Sequence, residues 1–236
     1  MKILLSAATS KGRIRNENQD IIYAGDTIIS DEDTYHKTIH DTIITIAIAD
    51  GMGGHMNGRL AAETAIKNIH RNKNKKNMND IIIQINNELG ALNYGKNIRE
   101  CMGTTLSLIK IKNNIMYWSS VGDSSIYIIN KDFIRRVNRL DEVLDRYGTR
   151  TGVIDNCLGA TKKIEPINIH SGEEVIKDNF ICLCISDGVS SFLTDKEIHK
   201  LVIHENISNV CSRIIETSIS AKSNDNISAI IAKYEK

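Results

Sequence analysis

Excess charge of either sign is missing: 30 Lys and Arg stand against 29 Asp and Glu in 236 residues, a net charge of +1. That balance offers nucleic acid or an anionic membrane no electrostatic attraction and excludes a polyanion-binding protein. Long apolar runs are missing too. Ile43 to Ala49 and Phe180 to Ile185 fall far short of the roughly 20 residues that span a bilayer, so no transmembrane helix is expected. Met1 to Ala8 is too short for the apolar part of a signal peptide and runs into Lys11, Arg13 and Arg15; it reads as a first strand. Five cysteines (Cys101, Cys157, Cys182, Cys184, Cys211) give an odd count without C-x-x-C spacing. Neither a disulfide framework nor a thiolate zinc site is suggested, and a reducing cytoplasm fits best. Proline occurs once, as Pro166, in a chain so rich in Ile, Asn and Lys that it resembles the drift of an AT-rich genome. That bias inflates β-propensity everywhere.

What is present suffices for a sizeable core: 41% of residues are apolar and 25% charged, the proportions of a globular protein. No linker or repeat divides the chain, so one domain over 1–236 is expected. Short runs rich in Ile, Val and Thr, bounded by Gly, Asn or Asp, predict strands at Ile3–Ala8, Ile21–Ala24, Thr42–Ala49, Thr105–Ile111, Ile115–Ser120, Ser125–Ile129, Phe133–Val137, Ile181–Ser186 and Ile227–Ala232. Helical spacing links Ala62, Ala65, Ile66 and Ile69, then Met78, Ile81, Ile82, Ile85, Leu89 and Leu92. It returns in Ile198, Leu201 and Val202, then in Val210, Cys211, Ile214 and Ile215. The polar, basic stretch Arg71 to Asn77 reads as a solvated loop within the first helical pair. Two pairs of one-sided helices need two sheet faces to cover, which gives an α+β fold, a four-layer αββα sandwich of two mainly antiparallel sheets.

Acidic residues recur at the ends of these strands, each beside Gly, Asn or Ser. Asp50 opens Asp50-Gly51-Met52-Gly53-Gly54, Asp187 precedes Gly188, and Asp123 follows Gly122. Asp225 lies before the last strand, and Asp20 immediately before the second. One Asp-Gly after a strand is ordinarily a turn residue. Five such acids at strand ends argue for a carboxylate cage, which only a cation makes tolerable. All-oxygen ligation without His or thiolate spacing selects Mg²⁺ or Mn²⁺ over Zn²⁺ or Cu²⁺.

Six blocks in order resemble the metal-dependent Ser/Thr protein phosphatases of the protein phosphatase 2C (PP2C, PPM) family, in its bacterial form. They are Gly12-Arg13-Ile14-Arg15-Asn16-Glu17-Asn18-Gln19-Asp20, Ala49-Asp50-Gly51-Met52-Gly53-Gly54-His55, Gly103-Thr104-Thr105, Val121-Gly122-Asp123-Ser124, Ser186-Asp187-Gly188 and Asp225-Asn226. The resemblance implies that Asp50 bridges two Mg²⁺ or Mn²⁺ ions, the Gly51 carbonyl completes one site and Asp187 and Asp225 the other, with Asp20 acting through water. Asp123 matches the position for a third, weaker ion, and Arg15 the arginine that holds phosphate oxygens. Water activated by the paired ions would then attack phosphorus directly. This agrees with the lack of a C-x5-R phosphate loop or a G-x-S-x-G elbow. Thr104 and Thr105 read as strand residues supporting the site, Gly53 and Gly54 as permitting tight backbone, and His55 as a surface or supporting residue.

The chain departs from the family pattern in three places. Met52 stands where many eukaryotic members carry a His linked to general-acid function, so water or another group must protonate the leaving alkoxide. Ser125 replaces an arginine expected to orient neighbouring carboxylates. Between Arg139 and Gly159 the flap is short, which predicts a more open cleft. The leading expectation is a cytoplasmic, monomeric protein serine/threonine phosphatase acting on phosphoproteins and opposing a Ser/Thr kinase, with no nucleic-acid or membrane partner. Its rivals are a pseudophosphatase serving as a scaffold, and a phosphatase of a phosphorylated anti-sigma-type regulator.

Overall fold

Most apolar runs of this chain are buried on both sides, because the central strands lie between another sheet and a layer of helices. A computed structural model describes residues 2–41, 43–52, 57–160, 166–176 and 180–235. Strands β1 (Lys2–Ser10), β2 (Asp20–Ala24), β3 (Thr27–Ile29), β4 (Asp33–Ile39) and β5 (Ile43–Met52) lead into helices α1 (Asn57–Asn72) and α2 (Met78–Asn93). Next come β6 (Gly103–Thr104), β7 (Leu106–Lys112), β8 (Ile115–Val121), β9 (Ser125–Ile129) and β10 (Ile134–Arg136). They are followed by β11 (Glu142–Leu144), β12 (Arg150–Ile154), β13 (Leu158–Gly159), β14 (His170–Val175) and β15 (Ile181–Ile185). Helices α3 (Asp187–Ser190), α4 (Asp195–His204) and α5 (Ile207–Ser220) precede β16 (Ile227–Glu235).

One sheet runs β10-β9-β15-β16-β1-β4 and the other β13-β6-β5-β7-β8-β14, with β2 pairing to β5 and carrying β3. The described pairings are all antiparallel. The two-residue period sorts each strand between two cores. Ile44, Ile46 and Ile48 of β5 meet Ile230 and Ala232 of β16 and Cys182 and Cys184 of β15 between the sheets. Ala47 and Ala49 of β5 face Ala61, Ala62 and Ala65 of α1, small against small, which lets that helix lie close to the sheet. Leu183 and Ile185 of β15, with Ile227 and Ile231 of β16, pack under Ile198 of α4 and Val210 and Ile214 of α5. Each fully buried Ile contributes on the order of 1.5–3 kcal/mol. This is the expected four-layer αββα sandwich.

The helices start where polar caps allow. Thr194 and Glu197 form a reciprocal box at α4, and Asn206 and Asn77 accept backbone N–H groups at α5 and α2, satisfying donors that a helix start leaves free. Lys110 is buried on β7, and its ammonium donates to the carbonyls of Lys73 and Lys75 in the loop between α1 and α2. That basic loop is anchored from beneath, although its own side chains are solvated.

Strands β3, β4 and β14 and the hairpin β11–β12 were not expected. The polar strands β4 and β14 lie at sheet edges, where one side meets solvent and no apolar run is required. The short flap is an ordered two-stranded hairpin with Val143, Leu144 and Val153 exposed. No helix among the described residues is long and apolar enough to cross a membrane.

Candidate metal centre

The inter-sheet face ends in a polar layer at one rim of the sandwich. On β5 the residue in phase with Ile44, Ile46 and Ile48 is Asp50, and on β2 the residue in phase with Ile22 and Ala24 is Asp20; the two are direct register partners. Thr9, Ser186 and Ser228 continue the same face of the opposite sheet. Thr9 Oγ1 and Ser228 Oγ share a hydrogen bond of 2.7 Å, and the Ser228 N–H donates to Ser186 Oγ at 3.0 Å. At this rim the chain crosses from one sheet to the other, in the loop from β1 to β2 that carries Arg15 and in the turn from β8 to β9 that carries Asp123. The end of β15 and the start of β16, antiparallel neighbours, place Asp187 and Asp225 there as well.

These residues surround a cleft of about 1180 Å³ whose wall includes Arg15, Asp50, Gly51, Asp123, Asp187 and Asp225. Asp20 is fully buried behind Asp50 and does not reach the cleft wall. A Cβ on Gly188 would fall 1.9 Å from the Asn226 carbonyl oxygen, so only glycine lets α3 and the loop before β16 bring Asp187 and Asp225 together. Gly51 is pressed as closely against Gly58 of α1, at 2.1 Å. Asp50 is fixed through its backbone: Thr105 N–H and Thr104 Oγ1 both donate to its carbonyl at 2.9 Å, and its own N–H donates to Thr105 Oγ1 at 3.2 Å.

Burial pushes the Asp20 carboxyl up to about 7, with Asp187 and Asp225 adding repulsion and the nearby Ser228 and Ser186 hydroxyls easing it. Asp187 is pushed up to about 6 by burial and by Asp225, against hydrogen bonding with Asp50 and Gly188 and the charge of Arg15. Asp50 lies well above the usual carboxylate range, from burial first and then from Asp20, Asp187, Asp123 and Asp225. Among the described residues, no three His, Cys, Asp or Glu side chains are drawn into a closed metal-binding group. Nevertheless the donor set fits a hard cation. Both Asp20 oxygens and Asp187 Oδ1 are buried without a hydrogen-bond partner of ordinary length, a condition that protein polar groups rarely tolerate.

Arg15 is about half exposed and donates from Nη2 to Asp225 Oδ2 at 2.7 Å. Met52 lines the cleft, together with Gly152 and Ile154 of the flap hairpin. Ser125 shares a face of β9 with Tyr127 and Ile129, which pack beneath α4 and α5. An arginine at 125 would therefore start on the helix side of the sheet, and the expectation that its loss disturbs the carboxylates finds no geometric basis. Gly53, Gly54 and His55 lie outside the described residues.

Sequence reasoning assigned no role to the residues that hold these loops in place. Asn226 Oδ1 accepts from Gln19 N–H at 3.0 Å, and its Nδ2 donates to the carbonyls of Lys11 and Glu17 at 3.1 and 2.9 Å, clasping both ends of the Arg15 loop. Asn18, buried, donates to Thr9 Oγ1 and accepts from Asp20 N–H. Arg59 of α1 grips Asp31 with both Nη atoms and donates to the Asn18 carbonyl. The only signal for these was the position of Asn18 and Asn226 inside the quoted blocks.

Residues 10–141 match the family model for protein phosphatase 2C. The serine/threonine protein phosphatase PstP of Mycobacterium tuberculosis is 23% identical over 96% of this chain. The chain spans only 44% of the length of that relative. The serine/threonine phosphatase Stp of Listeria innocua is 23% identical, over 95% of this chain and 93% of its own length. A crystal structure of the catalytic domain of PstP in complex with two manganese ions has the same fold, with a TM-score of 0.80 at 22% identity and 100% of both chains covered.

Proposed function

The chain belongs to the protein phosphatase 2C family, and we propose that it is a Mg²⁺- or Mn²⁺-dependent protein serine/threonine phosphatase. The observation that carries this reading is that both Asp20 oxygens and Asp187 Oδ1 are buried without a hydrogen-bond partner of ordinary length, beside Asp50 at an open cleft. Asp50, the Gly51 carbonyl, Asp187 and Asp225 would hold two ions, Asp20 would act from behind through water, and Asp123 would serve a third. When bound, such ions supply Lewis acidity that turns water into a nucleophile at neutral pH and offset charge on the phosphoryl oxygens.

Arg15 binds and orients. One guanidinium nitrogen donates to Asp225, and the rest of its planar fork is available to phosphate oxygens at the cleft mouth. Among the described residues of the cleft wall there is no Ser, Thr, Cys or His. With the cleft aspartates committed to holding ions, water would attack the phosphoserine or phosphothreonine ester directly without a phosphoenzyme, and water or another group would protonate the leaving alkoxide beside Met52. An open cleft of about 1180 Å³ has room for a peptide segment, in keeping with phosphoprotein substrates; membership of the family supports reading the counterpart as a Ser/Thr kinase in the same cell. The catalytic unit is one domain over 1–236, working as a monomer.

The test is hydrolysis of a phosphothreonine peptide with Mn²⁺ and with EDTA, in parallel with Asp50→Asn. Turnover that requires Mn²⁺ and is lost in the variant is the expected result. Folded, Mn²⁺-bound protein without turnover would overturn the reading in favour of a non-catalytic scaffold.

A further inference from the structure

Asp141 stands immediately before the flap hairpin, is 5% exposed and is not among the residues that line the cleft. Three donors converge on its carboxylate. Oδ2 accepts from Gly122 N–H at 3.0 Å and from Asn156 Nδ2 at 2.6 Å, and Oδ1 lies 2.6 Å from His170 Nε2. Its backbone joins the same knot: Asp141 N–H donates to the Gly122 carbonyl at 3.0 Å, and Asp155 N–H to the Asp141 carbonyl at 3.3 Å. Asn156 reaches on to the Asn168 carbonyl at 2.8 Å. His170 opens β14 opposite Ser120 of β8, which is why an imidazole is at hand.

The two legs of the hairpin, at Asp141 and at Asp155–Asn156, are thus tied to Gly122, the neighbour of Asp123. Gly122 in turn has no room to shift. It holds φ +96°, and a Cβ there would lie 2.7 Å from Thr105 Cγ2. Thr105 fixes the Asp50 backbone and shares a 2.9 Å hydrogen bond with Ser124 Oγ. At the other end of the connection, Gly152 and Ile154 of the hairpin border the cleft that Asp123 also lines. Removing the carboxylate would leave buried donors without an acceptor and reduce the tie between the hairpin and the Asp123 turn to the two backbone hydrogen bonds at Asp141.

Resting on the reading of the cleft as a metal-dependent phosphatase site, we infer that Asp141 is a positioning residue that couples the flap hairpin to the Gly122–Asp123 turn. Ordering of the carboxylate cleft therefore orders the hairpin, and the reverse follows by linkage.

Hydrogen exchange on the full chain, with and without Mn²⁺, tests this. In the wild type, Mn²⁺ should slow exchange at 46–52 and, by about fivefold, in the hairpin 142–156. In Asp141→Ala the slowing at 46–52 should persist while that in the hairpin is lost. Asp141→Asn should retain it, since an amide oxygen still takes the Gly122 and Asn156 donors. Should Asp141→Ala raise exchange in α5 as well, a sign of global destabilisation, Asn156→Ala decides, because it loosens only the far leg and leaves the Asp141 carboxylate in place. Loss of hairpin protection there supports the coupling, and its retention overturns it. Wild-type protection at 46–52 without any in the hairpin, or hairpin protection surviving in Asp141→Ala, overturns the inference alone. Intact coupling without peptide hydrolysis overturns the phosphatase reading alone, and Mn²⁺ that protects neither segment overturns both.

Discussion

Ile22 and Asp20 stand two residues apart on the same face of β2, and both are fully buried. Ile22 belongs to a core in which Ile46, Ile48, Ile109 and Ile230 fill the space between the sheets with nothing to hydrogen-bond. Asp20 has two oxygens without a hydrogen-bond partner of ordinary length and has Asp50, Asp187 and Asp225 around it. The same strands thus carry a region that stabilises the fold and, one step along, a region that opposes it. The core supplies the margin that lets the rim hold its carboxylates together, and the rim uses that margin for chemistry. Stability and activity should therefore respond to different residues of the same strand face.

A crossed pair of variants tests that separation at its widest. Asp187→Asn removes charge from the cleft and no apolar volume, so phosphopeptide turnover should fall by at least about 10³-fold, a barrier change of about 4 kcal/mol. Without metal its melting temperature should match or exceed that of the wild type. Ile46→Ala leaves a cavity between the sheets and should cost about 2–5 kcal/mol of unfolding free energy, with turnover per folded molecule near normal. Denaturant titration and steady-state kinetics on both proteins give the four values. Near-normal turnover of Asp187→Asn with metal bound would remove that residue from the ligand set.

The core was the more legible of these regions. Ile44, Ile46 and Ile48 alternate with Thr45, Ala47 and Ala49, and the period alone assigns them to opposite faces of β5. The same period extends to Asp50, so the position of the carboxylate on the inter-sheet face was also in the pattern. Edge strands were not. Asp33 to Ile39 and His170 to Val175 pair through backbone groups while several of their side chains meet solvent, and neither leaves an apolar signature. The polar supports of the site were hidden for another reason. Asn226 and Gln19 are 207 residues apart, and Asp141 and His170 are joined only because β14 pairs with β8; such contacts depend on topology and have no local spacing.

The rim should also reveal itself through pH. Asp20 titrates at about 7 in the fold against roughly 3.9 in an unfolded chain. Between these values the metal-free fold binds the proton more tightly than the unfolded chain does. Its contribution is complete at low pH and is lost as pH rises through about 7. Asp187, at about 6, acts in the same direction. Asp26, Asp31 and Glu63 are held below their usual range by Lys73, Arg59 and Lys67, and their support fails only in stronger acid. From pH 5 to 7.5 the metal-free protein should therefore lose on the order of 4 kcal/mol, read by denaturant titration at each pH. Asp20→Asn should flatten the slope, and saturating Mn²⁺ should reverse it, since a cation competes with the proton. A metal-free protein whose stability rises over this range would show that the rim carboxylates are not strained.

Arg15 provides the finest division between the two regions, because it lines the rim without adding to its buried negative charge. It is about half exposed, adds nothing to the core and neutralises Asp225 from the solvent side. An exposed ion pair of this kind contributes at most about 1 kcal/mol to folding, so Arg15→Ala should change the melting temperature little. If the fork holds phosphate oxygens, the variant should raise KM for a phosphothreonine peptide about tenfold, with kcat reduced less and Mn²⁺ affinity nearly unchanged. Arg15→Lys should recover only part of the loss, since an ammonium keeps the charge without the planar pair of donors. An unchanged KM would make Arg15 a counter-ion of Asp225 and no more, and substrate recognition would then rest with the carboxylate rim and the hairpin that borders it.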